Sequence, residues 1–212
     1  STVMQNIIDD KTLDVSQGII HHSEGVDLLP SNIEMSGFEV RLINAMSRER
    51  VLKTYVNEVK KNYDYVLIDC MPSLGMITIN ALAAADSVII PTQPHYLSAK
   101  GLELLLRSVS MVKRQINPKL RIDGILMTMV MPRTNISKEI TATVKSAYGK
   151  KIKVFDTEIP HSIRAVEATA EGKSIFAYDK SGKVAAAYEQ LGKEVAEIGE
   201  KQRNQNRADR IR

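Results

Sequence analysis

The sequence has little cysteine and little aromatic character. It contains one cysteine, no tryptophan, three phenylalanines and four histidines. The single cysteine, Cys70, excludes an internal disulfide, and the scattered histidines lack zinc-ligand spacing. No apolar run reaches the roughly 20 residues that span a bilayer, and the amino terminus has no basic region followed by a hydrophobic one. We therefore expect a cytoplasmic protein with no membrane association.

The basic charge is concentrated at the carboxyl end. The chain of 212 residues carries +4, and its last twelve residues carry the same excess because five cations there face one acid. We expect a single domain over residues 1–200, with one large core, followed by a basic tail over residues 201–212. Such a tail either attracts nucleic-acid phosphates or is a solvated helix end, and both interpretations stay open.

The period of the apolar residues alternates between strand and helix. Strands are predicted at residues 26–29, 65–69, 87–90, 122–130 and 152–155. Helices are predicted at residues 38–59 with a break near Ser47, and at 77–85, 102–116, 136–148, 163–171 and 184–198. Ser162 and Gly172 are predicted to flank the helix at 163–171. Because the strands are continuous apolar runs, the pattern indicates an α/β fold, a mostly parallel sheet with helices on both faces.

Asp69 is the last residue of the predicted strand at residues 65–69, within the stretch YDYVLIDCMPSLG. Ligands of parallel α/β sheets bind beyond the carboxyl ends of the strands, so this carboxylate is expected at the functional edge. Two roles fit an acid at that position. It either caps the helix that follows or holds a magnesium ion through water, as the second acidic motif of a phosphate-loop nucleotidase does.

A longer stretch around Asp69, residues 64–105, reads DYVLIDCMPSLGMITINALAAADSVIIPTQPHYLSAKGLELL. It resembles the ParA family of deviant Walker ATPases, which includes Soj and is related to MinD. The later segments GILMTMVMPRTNIS, IPHSIRAVEATAEGKSI and YDKSGKVAAAYEQLGKEV resemble further blocks of the same family in the same order. The resemblance covers residues 24–198. It implies a P-loop NTPase-like fold and a magnesium-dependent ATPase that partitions chromosomes and plasmids.

The family's phosphate-binding segment has no counterpart in these residues. Family members begin with a strand, a glycine-rich loop with two lysines, a helix and a second strand ending in acids. Gly172, Lys173 and Ser174 match the end of a phosphate-loop pattern, but that pattern requires a glycine where this chain has Glu167. The resemblance thus implies ATP and Mg²⁺ in the complete family protein. We expect an N-terminally truncated form, with the first strand and loop absent, that binds neither alone, and its enzymatic activity stays open.

The resemblance also places candidate site residues. It assigns Asp69 to magnesium, through water, and Met129, Pro160 and His161 to the nucleotide base, although the family usually has arginine where His161 stands. For DNA, the family binds phosphates without reading sequence, through scattered cations on its later helices. The matching or neighbouring cations here are Arg133, Arg164, Lys173, Lys180, Lys183, Arg203, Arg207 and Arg210. The lack of interleaved aromatics argues against base stacking on single strands.

The resemblance implies three partners: non-specific double-stranded DNA in the nucleoid, a ParB-like centromere-binding protein, and a second copy in a homodimer. The alternative is a non-catalytic ParA-like remnant that serves as a DNA-binding or protein-interaction module. The family's phosphate-loop strand lies beside the strand ending at Asp69, so its absence is expected to leave that strand without a neighbour. An unpaired strand edge and bare apolar surface favour self-association or rearrangement.

Overall fold

The computed structural model describes residues 2–31, 34–71, 73 and 75–211, without the side chains of residues 34–36, 206, 207 and 209–211. The helices are α1 (Thr2–Ile8), α2 (Glu34–Leu42), α3 (Val51–Val59), α4 (Met76–Ala84), α5 (Tyr96–Gln115), α6 (Asn135–Tyr148), α7 (Ile163–Ala170), α8 (Ile175–Tyr178) and α9 (Lys183–Ile211). The strands are β1 (Ile20–His21), β2 (Asp27–Leu28), β3 (Ser87–Thr92) and β4 (Arg121–Met127). Short 3₁₀ turns at Arg48–Arg50 and Lys60–Asn62 flank α3.

The chain divides into two compact units. The first comprises Ser1–Ser87 with Leu105–Arg121, and the second comprises Val88–Leu104 with Ile122–Arg212. Helices α1, α2, α3 and α4 pack together in the first unit. Its core has two neighbouring apolar clusters, one around Tyr55, Val56 and Val59 and the other around Phe38 and Leu42.

Two buried asparagines join elements of the first unit. Asn80 is fully buried; its Nδ2 donates to the carbonyls of Arg48, at 2.8 Å, and Met76, at 3.0 Å, and its Oδ1 accepts from the Leu52 amide at 3.1 Å. Asn117 donates to the carbonyls of Leu82 and Ala85, at 3.0 and 2.8 Å. Burying a side-chain amide destabilises the fold unless its polar atoms are hydrogen-bonded. These hydrogen bonds therefore constrain how the helices of the first unit pack against one another.

The predicted helix at residues 38–59 is interrupted at Ser47, as expected. Ser47 has φ 50°, in the left-handed region that interrupts a right-handed helix. Helix α2 therefore ends at Leu42, and α3 begins at Val51 after a 3₁₀ turn. Both helices, and the 3₁₀ turn at Arg48–Arg50 between them, contact α4.

A small antiparallel hairpin, β1 with β2, also belongs to the first unit. Ile20 lies opposite Leu28, and His21 lies opposite Asp27. The Asp27 carboxylate accepts from the Tyr63 hydroxyl at 2.5 Å and lies 2.6 Å from Nδ1 of His21. Both contacts lower the pKa of Asp27, and the hydrogen bond from Tyr63 is the larger cause.

The second unit contains the parallel sheet. Strands β3 and β4 are neighbours, and the Thr128 amide just after β4 donates to the carbonyl of Thr92, the last residue of β3. Both strands therefore end at the same edge. Parallel bridges continue the sheet, pairing Ile125 with Val154 and Val130 with Pro160. The α/β class with a parallel sheet and helices is thus confirmed.

Close approach of backbone segments accounts for Gly124 in β4. A Cβ at this position would lie 2.7 Å from the Phe155 ring and 2.9 Å from the Lys153 carbonyl oxygen, closer than side-chain carbons normally approach. Phe155 is fully buried and packs with Leu126, Ile159 and Val184 in the core of the second unit. Because residue 124 has no side chain, residues 153–155 can lie against β4.

Two predicted strands are wrong as strands. Residues 65–69 join no sheet in the described part of the chain, and Leu67 is 91% exposed where burial on both faces was expected. Residues 152–155 contribute a single bridge at Val154 rather than a strand. A β-strand requires a hydrogen-bonded neighbour as well as an apolar pattern. Residues 65–69 have no such neighbour in the described part of the chain, and residues 152–155 have one at a single position.

Helix α9 is longer than the apolar stripe predicted. The stripe ends near Ile198, whereas the helix continues through residue 211 and so includes the backbone of the expected basic tail. Gln202 donates to Asp123 at 3.1 Å, which ties the extended helix to β4 within the second unit. Helix α7 ends at Ala170, and Gly172, predicted to lie just past its end, has φ 64°. Among the described residues, no helix has both the length and the apolar content needed to cross a membrane.

Candidate functional site

The carboxyl edge of the parallel sheet brings together three of the predicted site residues. The Val130 amide donates to the Ile159 carbonyl, and the His161 amide donates back to the Val130 carbonyl, each at 3.0 Å. This exchange sets Met129 beside the segment that carries Pro160 and His161. Met129 and His161 are exposed, and Pro160 is half-buried, so the three residues present a surface beyond the ends of the strands.

Met129 has an unusual backbone conformation. Its φ is 55°, in the left-handed region that side chains other than glycine, asparagine and aspartate rarely adopt. The residues on both sides are held by sheet bonds, Thr128 to Thr92 and Val130 to Ile159. Such enforced backbone conformations concentrate at ligand-binding sites, which makes this strand end a candidate contact point.

A buried carboxylate positions the chain just before this edge. Glu194 on α9 is 8% exposed and accepts from the Thr157 hydroxyl at 2.5 Å, the Thr157 amide at 2.9 Å and the Asp156 amide at 3.3 Å. Lys153 lies 3.2 Å from the same carboxylate. Burial acts to raise the pKa of Glu194, but the bonds from Thr157, Lys153 and Asp156 outweigh it, and the pKa lies below its usual value.

Asp69, the predicted magnesium residue, lies in the first unit, on the 64–70 segment that joins no sheet. It is exposed, and the described residues contain no group of three or more His, Cys, Asp or Glu side chains able to hold a metal ion. The alternative role, capping the next helix, is wrong for the described residues. Gly75 is the N-cap of α4, and the first amide of that helix, on Met76, donates to Glu39 at 2.5 Å.

The predicted DNA contacts lie mainly on consecutive elements of the second unit. Arg164 is on α7, Lys173 follows it, Lys180 precedes α9, and Lys183 and Arg203 are on α9 itself. Arg133 lies in the loop between β4 and α6. All six of these side chains are exposed. The side chains of the remaining two predicted contacts, Arg207 and Arg210, lie outside the described residues.

One of these cations is already paired. Lys173 lies 2.8 Å from Glu171, and this hydrogen bond raises the pKa of the lysine. Within the described part of the chain, no ion pair is found for Arg164, Lys180 or Lys183. The same holds for Arg133 and Arg203, so among the six described cations only Lys173 is neutralised by an acid of the chain.

Glu194 and Glu39 shape the site, but the sequence gives little sign of their roles. Glu194 reaches a segment 37 residues away, and Glu39 caps a helix 37 residues away. Their side chains are ordinary members of helical patterns, and only the long-range contact distinguishes them. An acid on the apolar stripe of α9, between Leu191 and Val195, was the one available sign that Glu194 is buried.

Comparison with known proteins agrees with this α/β fold and its parallel sheet. A family described as the AAA domain matches residues 1–122. A solved cobyrinic acid a,c-diamide synthase from Mycobacterium smegmatis, with bound ATP analogue and magnesium, superposes with a TM-score of 0.68 and 30% identity, covering 81% of this chain and 74% of that one. The fold is that of a P-loop ATPase domain.

Two curated relatives define the family more closely. The sporulation initiation inhibitor protein Soj of Bacillus subtilis (strain 168) is 44% identical over 83% of this chain and 69% of its own length. The chromosome partitioning protein ParA of Myxococcus xanthus (strain DK1622) is 36% identical over 92% of this chain and 68% of its own. The chain belongs to the ParA/Soj family of partition ATPases. Among such relatives it spans 60 to 72% of their length.

Proposed function

We propose that this chain acts in chromosome or plasmid partition and binds double-stranded DNA through its phosphates, without reading base sequence. The observation that carries the proposal is the run of exposed cations Arg164, Lys180 and Lys183 on consecutive elements of one unit. Lysine and arginine neutralise phosphates whatever the bases are, and sequence-independent binding of this kind is steeply salt dependent. The names of the relatives support the partition role.

The expected binding partners follow from the same proposal. We place the protein in the cytoplasm at the nucleoid, acting with a ParB-like centromere-binding protein and with a second copy of itself. Arg133 and Arg203 extend the proposed DNA surface beyond the α7–α9 cations, and Arg207 and Arg210 are proposed as further contacts. Lys173 is a weaker contact because Glu171 already neutralises it.

Charge reversal tests the DNA surface. The triple variant Arg164→Glu, Lys180→Glu, Lys183→Glu is expected to lower affinity for any duplex at least tenfold and to reduce the slope of log K against log salt by up to about 0.9 for each phosphate that is no longer neutralised. Fluorescence anisotropy with labelled duplexes measures both. The control variant Lys113→Glu, Arg114→Glu, Lys119→Glu changes the same number and kinds of exposed cations elsewhere. Equal loss of affinity in both variants would refute a localised surface.

For the nucleotide, we propose that Met129, Pro160 and His161 of the second unit contact the base of ATP. As a separate proposal, Asp69 of the first unit meets magnesium through water. Most of the phosphate affinity of such a site comes from the amides of a glycine-rich loop, and residues 1–212 contain no such loop. The 212 residues alone are therefore proposed to be incompetent for ATP hydrolysis and are expected to bind ATP only weakly. Calorimetric titration with ATP and Mg²⁺ measures this, and micromolar affinity would contradict it.

A further inference from the structure

The cations of the second unit form two groups that lie at opposite ends of α9. The first group stands on α7, before α9 and at its first residue, and consists of Arg164, Lys180 and Lys183. The second group stands on residues 201–211, which we call the α9 arm, and consists of Lys201, Arg203, Arg207 and Arg210. Gln202 donates to Asp123 of β4 at 3.1 Å, so the arm begins at a fixed place on the unit.

A hydrogen bond between α8 and α7 holds the first group together. The Tyr178 hydroxyl, at the end of α8, donates to the Glu167 carboxylate on α7 at 3.1 Å. Arg164 lies three residues before Glu167, on the same face of α7. Lys180 follows Tyr178 by two residues. The bond therefore sets the start of α9 beside the face of α7 that carries Arg164.

The geometry of α9 separates the two groups in distance and in direction. The helix is continuous from Lys183 to Ile211, so at ~1.5 Å per residue Lys183 and Arg203 lie about 30 Å apart along its axis. At ~100° per residue, positions 203, 207 and 210 share one side of the helix, within about 60° of one another. That side is turned roughly 120–180° around the axis from Lys183. The two groups therefore face different directions.

Acidic side chains occupy the part of α9 between the two groups. Glu189, Glu197 and Glu200 are exposed there, and Lys193 is neutralised by Glu189 at 2.9 Å. Carboxylates repel phosphates, so a duplex that followed α9 from one group to the other would lie against charges of its own sign. Each group is therefore better suited to a duplex of its own than to a share of one.

We propose that the α9 arm is a second DNA-binding site and that one chain holds two duplexes at once, one at the first group and one at the arm. The inference rests on the proposed function, since both sites bind phosphates. The arm carries four cations and one acid, Asp209, and cations on one side of a helix neutralise phosphates whatever the bases are. Two sites that face different directions give the chain a further activity: it bridges separate segments of DNA.

The number of duplexes bound per chain tests the second site. Sedimentation velocity with an excess of a labelled duplex of about one helical turn, ~11 base pairs, at about 50 mM salt measures it. The unaltered chain is expected to bind two duplexes, and the arm variant Arg203→Gln, Arg207→Gln, Arg210→Gln is expected to bind one. The control Lys113→Gln, Arg114→Gln, Lys119→Gln removes three exposed cations elsewhere and is expected to bind two. Because the ratio is counted per chain, association between copies does not change it.

Energy transfer between a donor-labelled and an acceptor-labelled duplex tests the bridging. The unaltered chain and the control are expected to produce transfer, and the arm variant is expected to lose it while still binding one duplex. Glutamine is a good helix former, and circular dichroism checks that the arm variant keeps its helix content. One duplex per unaltered chain, or an arm variant that still binds two or still bridges, would overturn the inference and leave the proposed function standing. An unaltered chain that binds no duplex would overturn both.

Discussion

Replacing Asn80 with leucine is expected to lower the free energy of unfolding by about 3 kcal/mol. Asn80 is fully buried and bonds to the Arg48 carbonyl, the Met76 carbonyl and the Leu52 amide. Leucine has nearly the same size but leaves the Leu52 amide and the Arg48 carbonyl unpaired away from water. Each buried polar group left unsatisfied costs about 1–3 kcal/mol. Urea unfolding followed by circular dichroism measures the loss.

The control for this substitution is Asn204→Leu on α9, where the side chain is exposed. Its effect on the free energy of unfolding is expected to stay within about 0.5 kcal/mol, as for most surface substitutions. If Asn80→Leu were equally mild, the bonds of Asn80 would not hold α4 to the turn that precedes α3, and the packing assigned to the first unit would be wrong.

Replacing Glu194 with glutamine is expected to cost about 2 kcal/mol of stability at pH 7, since hydrogen bonds to a charged group contribute about 1.5–3 kcal/mol. The amide oxygen of glutamine can accept both bonds from Thr157, but its NH₂ group cannot accept from the Asp156 amide, and the attraction to Lys153 is lost. The segment that carries Pro160 and His161 follows directly, so the base side of the proposed ATP site is loosened as well.

The cost of this substitution depends on pH in a definite direction. The pKa of Glu194 is lower in the folded chain than in the unfolded chain, so its carboxylate stabilises the fold above the unfolded value, and that stability is lost as pH falls through the folded pKa. The two proteins are therefore expected to differ most near neutral pH and to converge in acid. Urea unfolding at a series of pH values measures the difference, with Glu197→Gln, exposed on the same helix, as the control. A difference that grows in acid would contradict the assignment.

The sequence predicted most helices and the order of the elements, because apolar period and capping residues act locally. The break at Ser47 and the glycine just past the end of α7, Gly172, are both visible in the sequence and are confirmed. The prediction of a strand at residues 65–69 was wrong, and the reason is physical. Its apolar pattern is that of a buried strand, but strand formation requires a neighbour, and the described residues supply none.

The candidate site was predictable in part. The family resemblance named Met129, Pro160 and His161, and the structure brings them to one edge of the sheet, while their role toward a nucleotide stays a prediction. The left-handed backbone of Met129 and the buried carboxylate of Glu194 had to be seen in the structure. Both depend on partners 29 or more residues away, since Val130 bonds to Ile159 and Glu194 bonds to Thr157, and local patterns carry no information about such contacts.

Sequence-independent DNA binding is the central claim, and its most direct test is the affinity of the unaltered chain for two unrelated duplexes of equal length between about 50 and 200 mM salt. Anisotropy titrations are expected to give the same dissociation constant for both duplexes at each salt concentration, and an affinity for both that falls steeply as salt rises. A tenfold preference for one duplex, or an affinity that does not change with salt, would contradict phosphate binding by the exposed cations of α7–α9.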